Sequence, residues 1–134
     1  MTENELKKAI REVVKKNFLG RKITFKVCGD EDETFKVAAY KIRSRKSIGI
    51  EHCEYEDYGV DEDTVKFIIV EFWDAEDEYS VTGCVCCIFT LNEKGQIGTS
   101  DAPYTFDLTV AYDTAIDMTD LILQEYNKQK KESI

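Results

Sequence analysis

Three kinds of side chain in this 134-residue chain could carry chemistry: thiols, one imidazole and many carboxylates. The thiols belong to Cys28, Cys53, Cys84, Cys86 and Cys87. Together with His52 they are ligand types that zinc prefers, but their spacing matches no standard finger or ribbon. We therefore interpret the cysteines as small strand residues, and we predict neither a metal site nor a cofactor.

His52 is the only histidine, so any imidazole-based catalysis depends on it. Neighbouring carboxylates such as Glu51 or Glu54 could orient the ring, but no nucleophile motif accompanies it. A lone histidine within a strand is more often structural than catalytic. The sequence therefore predicts no catalytic residue, and an enzymatic pocket around His52 is kept as an alternative.

Carboxylates are concentrated in residues 51–79, which hold twelve of them and a single lysine, Lys66. Their runs lack the graded spacing and central glycine of a calcium loop, and the chain has no glycine-rich phosphate loop. Such a segment, with tyrosines and a tryptophan among the acids, is typical of a surface that binds a basic protein. The residues predicted to bind the partner are Glu54, Glu56, Asp57, Tyr58, Asp61, Glu62, Asp63, Asp74, Glu76, Asp77 and Glu78. Three further carboxylates at helical spacing, Asp113, Asp117 and Asp120, could extend this face.

Charge is distributed unevenly along the chain. Residues 1–50 contain 13 lysines and arginines against 7 acids, whereas residues 51–134 contain 5 against 20, which gives the net charge of −9. This asymmetry bears on association and solubility and says little about fold. Because a net charge of this sign opposes binding to a polyanion, we predict no direct contact with nucleic acid.

The elements that must hold these residues begin with a helix over residues 3–18. Thr2 and Glu5 have the spacing of a capping box, and Gly20 follows as a helix-ending glycine. Its apolar stripe is Leu6, Ala9, Ile10, Val13 and Val14, with lysines and Arg11 on the other side.

Alternating apolar residues predict strands after this helix. They cover residues 23–27, 35–42 and 48–55, then a strand over 65–73 that is apolar on both faces, and an alternating strand over 79–91 that ends in a turn at Asn92–Gly95. The alternation in 35–42 slips near Ala38, which indicates a bulge or a change of covered face.

The region from Tyr104 fits either a strand or a helix, and we favour a strand to about Ala111 followed by a helix. Asp113 and the residues after it resemble a cap and a first turn. The helix is predicted to bury Ala115, Ile116, Thr119, Ile122, Leu123 and Tyr126.

These elements predict an α+β fold in one domain, residues 1–134, which is long enough to bury its own core. The sheet is mainly antiparallel, curved and five- to six-stranded, with an N-terminal and a C-terminal helix packed on it. The N-terminus does not resemble a secretory signal, no apolar run could cross a membrane, and the odd cysteine count fits reduced thiols, so we predict a cytoplasmic protein.

The leading hypothesis for function is a non-enzymatic protein that binds another protein, basic or nucleic-acid-binding, through the carboxylate-rich face, as an inhibitor, an immunity factor or a nucleic-acid mimic. The first alternative is a helix-capped sheet that binds a small molecule or acts as an enzyme. The second alternative is a dimeric assembly protein similar to a secretion chaperone. A homodimer is compatible with the separate basic and acidic patches.

Overall fold

The computed structural model describes residues 1–27, 31–45, 65–75, 85–101 and 109–132. These residues form two helices and seven strands, which we number in chain order. They are α1 (Glu3–Asn17), β1 (Lys22–Phe25), β2 (Glu33–Lys36), β3 (Ala39–Arg45), β4 (Val65–Trp73), β5 (Val85–Asn92), β6 (Ile97–Ser100), β7 (Thr109–Val110) and α2 (Tyr112–Glu132). The predicted strand at 48–55 lies outside the described residues.

The strands form two sheets. β1 and β2 make an antiparallel pair, whereas β3, β4, β5 and β6 follow one another as antiparallel neighbours, and β7 adds to β5 in the parallel sense. Both helices pack on the larger sheet and on each other. The predicted α+β fold with a mainly antiparallel sheet and one helix from each end of the chain is therefore confirmed.

Helix α1 begins with the predicted capping box. The Thr2 hydroxyl accepts a hydrogen bond from the Glu5 amide at 3.2 Å, and the Glu5 carboxylate accepts one from the Thr2 amide at 2.7 Å. These two bonds satisfy donors that every helix start leaves unpaired. All five residues of the predicted apolar stripe are buried, so the sequence located both the start and the inner face of α1.

The face of the larger sheet that carries the helices is entirely apolar where β4 meets the core. Ile68, Val70 and Phe72 join the α1 stripe and Ile122 of α2 in one cluster. Aromatic rings attach the small sheet to it, because the Phe72 ring centroid lies 5.0 Å from that of Phe25. The smaller sheet is thereby part of the same core.

The opposite face of the larger sheet is also buried in its centre. Phe67, Ile69 and Trp73 alternate with the core residues of β4, and Cys86 and Ile88 do the same on β5. Burial on both faces confirms the prediction for β4. β5 is also covered on both faces at its centre, because Cys86 and Ile88 are as fully buried as Cys87 and Phe89.

The predicted strand over residues 35–42 is divided between the two sheets. β2 ends at Lys36, and β3 begins at Ala39 in the other sheet. Between them the Val37 amide donates to the Arg21 carbonyl at 2.9 Å and the Ala38 amide to the Trp73 carbonyl at 2.8 Å. The phase slip near Ala38 therefore marks the point where the chain changes sheets.

Helix α2 begins at Tyr112, directly after β7, so the preference for a strand followed by a helix is confirmed for residues 109–132. Its buried residues are Thr114, Ala115, Met118 and Ile122. The prediction that Ile116 and Leu123 are buried was wrong, since they are 45% and 37% exposed. Each lies roughly 100° around the helix from the stripe that meets the sheet.

Candidate functional site

Of the residues predicted to bind a partner, the structure describes Asp74. The other ten lie outside the described residues: Glu54, Glu56, Asp57, Tyr58, Asp61, Glu62, Asp63, Glu76, Asp77 and Glu78. The same is true of His52, Cys28, Cys53 and Cys84. For these positions the site remains a prediction from sequence.

Asp74 is half-buried and directly follows the last residue of β4. The start of α2 lies at the same end of the sheet, because Glu71 of β4 is level with Cys86 of β5, and the Cys86 carbonyl accepts a hydrogen bond from the Ala111 amide at 2.8 Å. Asp113 stands two residues beyond Ala111. Asp74 and the first aspartate of α2, Asp113, therefore lie at the same end of the larger sheet. We call this the acidic end.

The surface of α2 that points away from the core carries a second apolar and acidic stripe. Its carboxylates, Asp113, Asp117 and Asp120, are all exposed. Its aliphatic side chains, Ile116 and Leu123, are the large hydrophobic residues that are exposed in the described part of the chain. We call these five residues the outer stripe of α2.

One side of the outer stripe is tied to the smaller sheet. The Thr114 hydroxyl accepts a hydrogen bond from the Lys26 amide at 2.7 Å, and the Lys26 ammonium lies 3.8 Å from the Asp117 carboxylate. Both charged side chains of this ion pair are more than half exposed, so it adds little stability. The Thr114 contact, which is part-buried, fixes the first turn of α2 in position.

A charged group that the sequence reasoning missed lies on the sheet face opposite the helices. The Glu71 side chain is 5% exposed, and its carboxylate lies 3.1 Å from Nε of Arg43, which is 43% exposed. Beside it the Lys41 ammonium is 5.2 Å from the centre of the Trp73 ring. The available signal was a glutamate within an apolar run, since a buried carboxylate requires a charged or hydrogen-bonding partner.

This group has the character of a structural ion pair. Breaking a buried pair leaves an uncompensated charge, whereas an intact one costs much of its attraction in desolvation. The neighbours of Glu71 on the same face of β4 are Ile69 and Trp73, which are buried. The pair therefore gives the buried Glu71 carboxylate a charged partner on the neighbouring strand β3.

The two described cysteines, Cys86 and Cys87, are buried and lie on opposite faces of β5. The Cys87 thiol donates to the Ala111 carbonyl at 3.6 Å, and burial raises the pKa of this thiol well above its usual value. A buried, protonated thiol is a poor nucleophile and a poor metal ligand. Within the described residues no group of three or more metal-ligating side chains comes together.

Basic residues lie on the other side of α2, facing α1. The Lys16 ammonium contacts both carboxylate oxygens of Glu125, at 3.1 and 3.2 Å, across the two helices. An open groove of about 430 Å³ runs along this contact. It is lined by Lys8, Glu12, Lys16, Glu125, Lys128, Gln129 and Glu132. Charges of both signs alternate in this groove, so it has no preference for one class of charged ligand.

Comparison with known proteins gives no family assignment. No family model matches the chain, and no significantly similar protein is found among curated proteins or solved structures. Neither of the described helices is both long and apolar enough to cross a membrane. The acidic end and the outer stripe of α2 are therefore interpreted from their own chemistry.

Proposed function

We propose that this chain is a binding protein that recognises the basic surface of another protein through its carboxylate-rich face. The observation that carries the proposal is the position of Asp74 and of the first half of α2 at one end of a rigid sheet. Three exposed aspartates lie there, with an exposed isoleucine and an exposed leucine along one edge of the same surface. Carboxylates around aliphatic anchors are the arrangement that a basic protein surface complements.

The distribution of charge over the whole chain supports the same proposal. The excess of acids lies after residue 50, and the acidic runs 51–63 and 74–78 flank the doubly buried strand β4 in sequence. Carboxylates on α2, which packs on the sheet, lose little backbone entropy on binding. Electrostatic attraction of this kind mainly accelerates association and excludes partners of the wrong charge.

The odd number of cysteines, five without the spacing of a disulfide framework, supports a reducing compartment such as the cytoplasm as the place of action. A partner there that carries a basic groove for nucleic acid has the complementary charge. An inhibitor or nucleic-acid mimic would then compete with phosphates for that groove.

The test begins with affinity capture from the native host at low salt, followed by measurement of the purified partner's affinity. The acidic-face variant replaces Asp61, Asp63 and Asp74 with lysine. The matched control makes the same charge change at three exposed carboxylates elsewhere, Glu93, Asp101 and Glu132. Circular dichroism and thermal unfolding of both variants check that the fold is kept.

We expect the partner's dissociation constant to rise at least tenfold for the acidic-face variant and to change little for the control. It should also rise steeply between about 0.05 and 0.5 M salt, because exposed charges are screened over a few ångströms at the higher value. Equal affinities for the two variants, or binding that ignores salt, would contradict the proposal.

A further inference from the structure

The outer side of α2 changes charge along its length. Its N-terminal half carries Asp113, Asp117 and Asp120, and its C-terminal end carries Lys131 and, at the edge of the groove towards α1, Lys128, all of them exposed. Between them lie the exposed amides Gln124 and Asn127. A helix that is acidic at one end and basic at the other is complementary to a second copy of itself in the antiparallel orientation.

The spacing of these residues fits such a pairing. Asp113 and Lys131 are equally distant in sequence from Ile122, so a twofold axis level with Ile122 places each carboxylate opposite an ammonium group of the second copy. On the same count Asp120 lies opposite Gln124, and Asp117 lies within one residue of the level of Lys128, on the same side of the seam. Each aspartate thus meets a group that can donate a hydrogen bond. The two helix dipoles are also antiparallel, which is their favourable orientation.

The exposed aliphatic residues lie where they can contribute to the same seam. Ile116 and Leu123 are seven residues apart, so they lie almost one above the other on one edge of the stripe. A twofold rotation perpendicular to the paired helices keeps that edge on the same side in both copies. Four aliphatic side chains, two from each copy, would then lie along one side of the seam, next to the row of polar and charged side chains.

We propose that α2 is a self-association surface, through which two copies of this chain form an antiparallel, twofold-symmetric dimer. Charge complementarity along the helix and the two exposed aliphatic residues select a second copy as the occupant. One helix face of this length buries less than the roughly 1,200 Å² of a standard interface, so the dimer is weak and depends on concentration. This inference goes beyond the partner binding proposed above and does not rest on it.

The two proposals are linked because they share the aspartates of α2. A basic partner that contacts Asp113 and Asp117 displaces the second copy, and dimerisation reduces the affinity for the partner by the same factor. The dimer is tested without any partner. Its failure therefore leaves the partner proposal unaffected, and the reverse also holds.

The experiment uses sedimentation of the full chain over a concentration series at about 0.1 M salt, where the screening length is about 10 Å. One variant makes α2 acidic at both ends through Lys128→Glu and Lys131→Glu. The other makes it basic at both ends through Asp113→Lys and Asp117→Lys. A matched control replaces two exposed basic residues of α1, Lys8 and Lys15, with glutamate.

We expect the native chain and the α1 control to shift with concentration from the chain mass of 15.4 kDa towards twice that mass. Each α2 variant alone should remain at the chain mass. An equimolar mixture of the two α2 variants should regain the doubled mass, because the charged groups at both ends of the mixed seam then meet opposite charges. Recovery in the mixture also shows that both variants are folded.

Two results would overturn the proposal. The first is a native chain that stays at 15.4 kDa up to its solubility limit. The second is a pair of α2 variants that self-associate as well as the native chain, or whose mixture does not associate.

Discussion

The two helices lie side by side on one sheet, yet they present different surfaces to solvent. Helix α1 has a single apolar stripe, all of it buried, and its other side is charged, with Lys8, Arg11 and Lys15 exposed. Helix α2 buries Ala115, Met118 and Ile122 and leaves Ile116 and Leu123 in solvent. One helix uses all of its large aliphatic residues for the fold, whereas the other does not.

The difference shows what apolar residues in a helix do and do not specify. A side chain is buried because the neighbouring element lies on its side of the helix, and hydrophobicity alone does not choose between two aliphatic stripes. Helix α1 has one aliphatic stripe, and it is buried. Helix α2 has two. The sheet and α1 cover one of them, and the other, with its aspartates, is available for a partner or a second copy.

The strongest test of this contrast compares two adjacent aliphatic residues of α2. Ile122→Ala should lower the free energy of unfolding by about 2–5 kcal/mol, because it removes a fully buried side chain from the core. Leu123→Ala should cost at most about 1 kcal/mol, as an ordinary surface substitution does.

Urea denaturation measures both values, at a protein concentration low enough to keep the chain monomeric. Sedimentation of Leu123→Ala should in addition show weaker self-association. Equal costs for the two substitutions would mean that the outer stripe of α2 is packed in solution and is not a free surface.

A smaller loss of stability is expected at the starts of the two helices, where a threonine hydroxyl accepts a hydrogen bond. Thr114→Val removes the acceptor of the part-buried Lys26 amide and should cost about 1–3 kcal/mol. Thr2→Ala removes the hydroxyl of the capping box and should cost about 1 kcal/mol.

The two threonines differ in what their hydroxyls join. Thr114 ties α2 to β1, whereas Thr2 only closes its own helix. Thr2→Ser is the control, since serine caps as well as threonine and should keep most of the stability. Thermal unfolding of the three variants provides the comparison, and a Thr114→Val variant as stable as the native chain would show that α2 needs no tie to β1.

Local patterns were enough to predict α1, the doubly buried β4 and the antiparallel hairpin that begins at Asn92. Each of these signals lies within a few residues: a capping box, an apolar run and a turn. The division of residues 35–42 between two sheets was not predictable in the same way. It depends on hydrogen bonds from Val37 and Ala38 to residues far along the chain.

The candidate site was predictable in part. The sequence named Asp74 and the three aspartates of α2, and the structure brings Asp74 and Asp113 to one end of the sheet. The sequence did not indicate that Ile116 and Leu123 are exposed beside these aspartates, because both sides of α2 carry aliphatic residues. It also missed the ion pair of Glu71 with Arg43, which depends on the register between β3 and β4.

The smallest predicted effect concerns the contact between the two helices, the ion pair of Lys16 with Glu125. The hydrogen bonds that Lys16 donates to the Glu125 carboxylate raise the pKa of Lys16 above its usual value of 10.5. A raised pKa in the folded state means that the pair stabilises the fold fully below the unfolded pKa and loses that effect as the pH rises through the folded pKa. Lys16→Met should therefore lower the melting temperature slightly at pH 8, and the difference from the native chain should shrink above about pH 10.5.

Lys15→Met, at the exposed neighbour, is the control for loss of a surface charge. A difference between Lys16→Met and the native chain that stays constant over this range would show that Lys16 stabilises the helix pair by packing of its aliphatic stem and not by its charge.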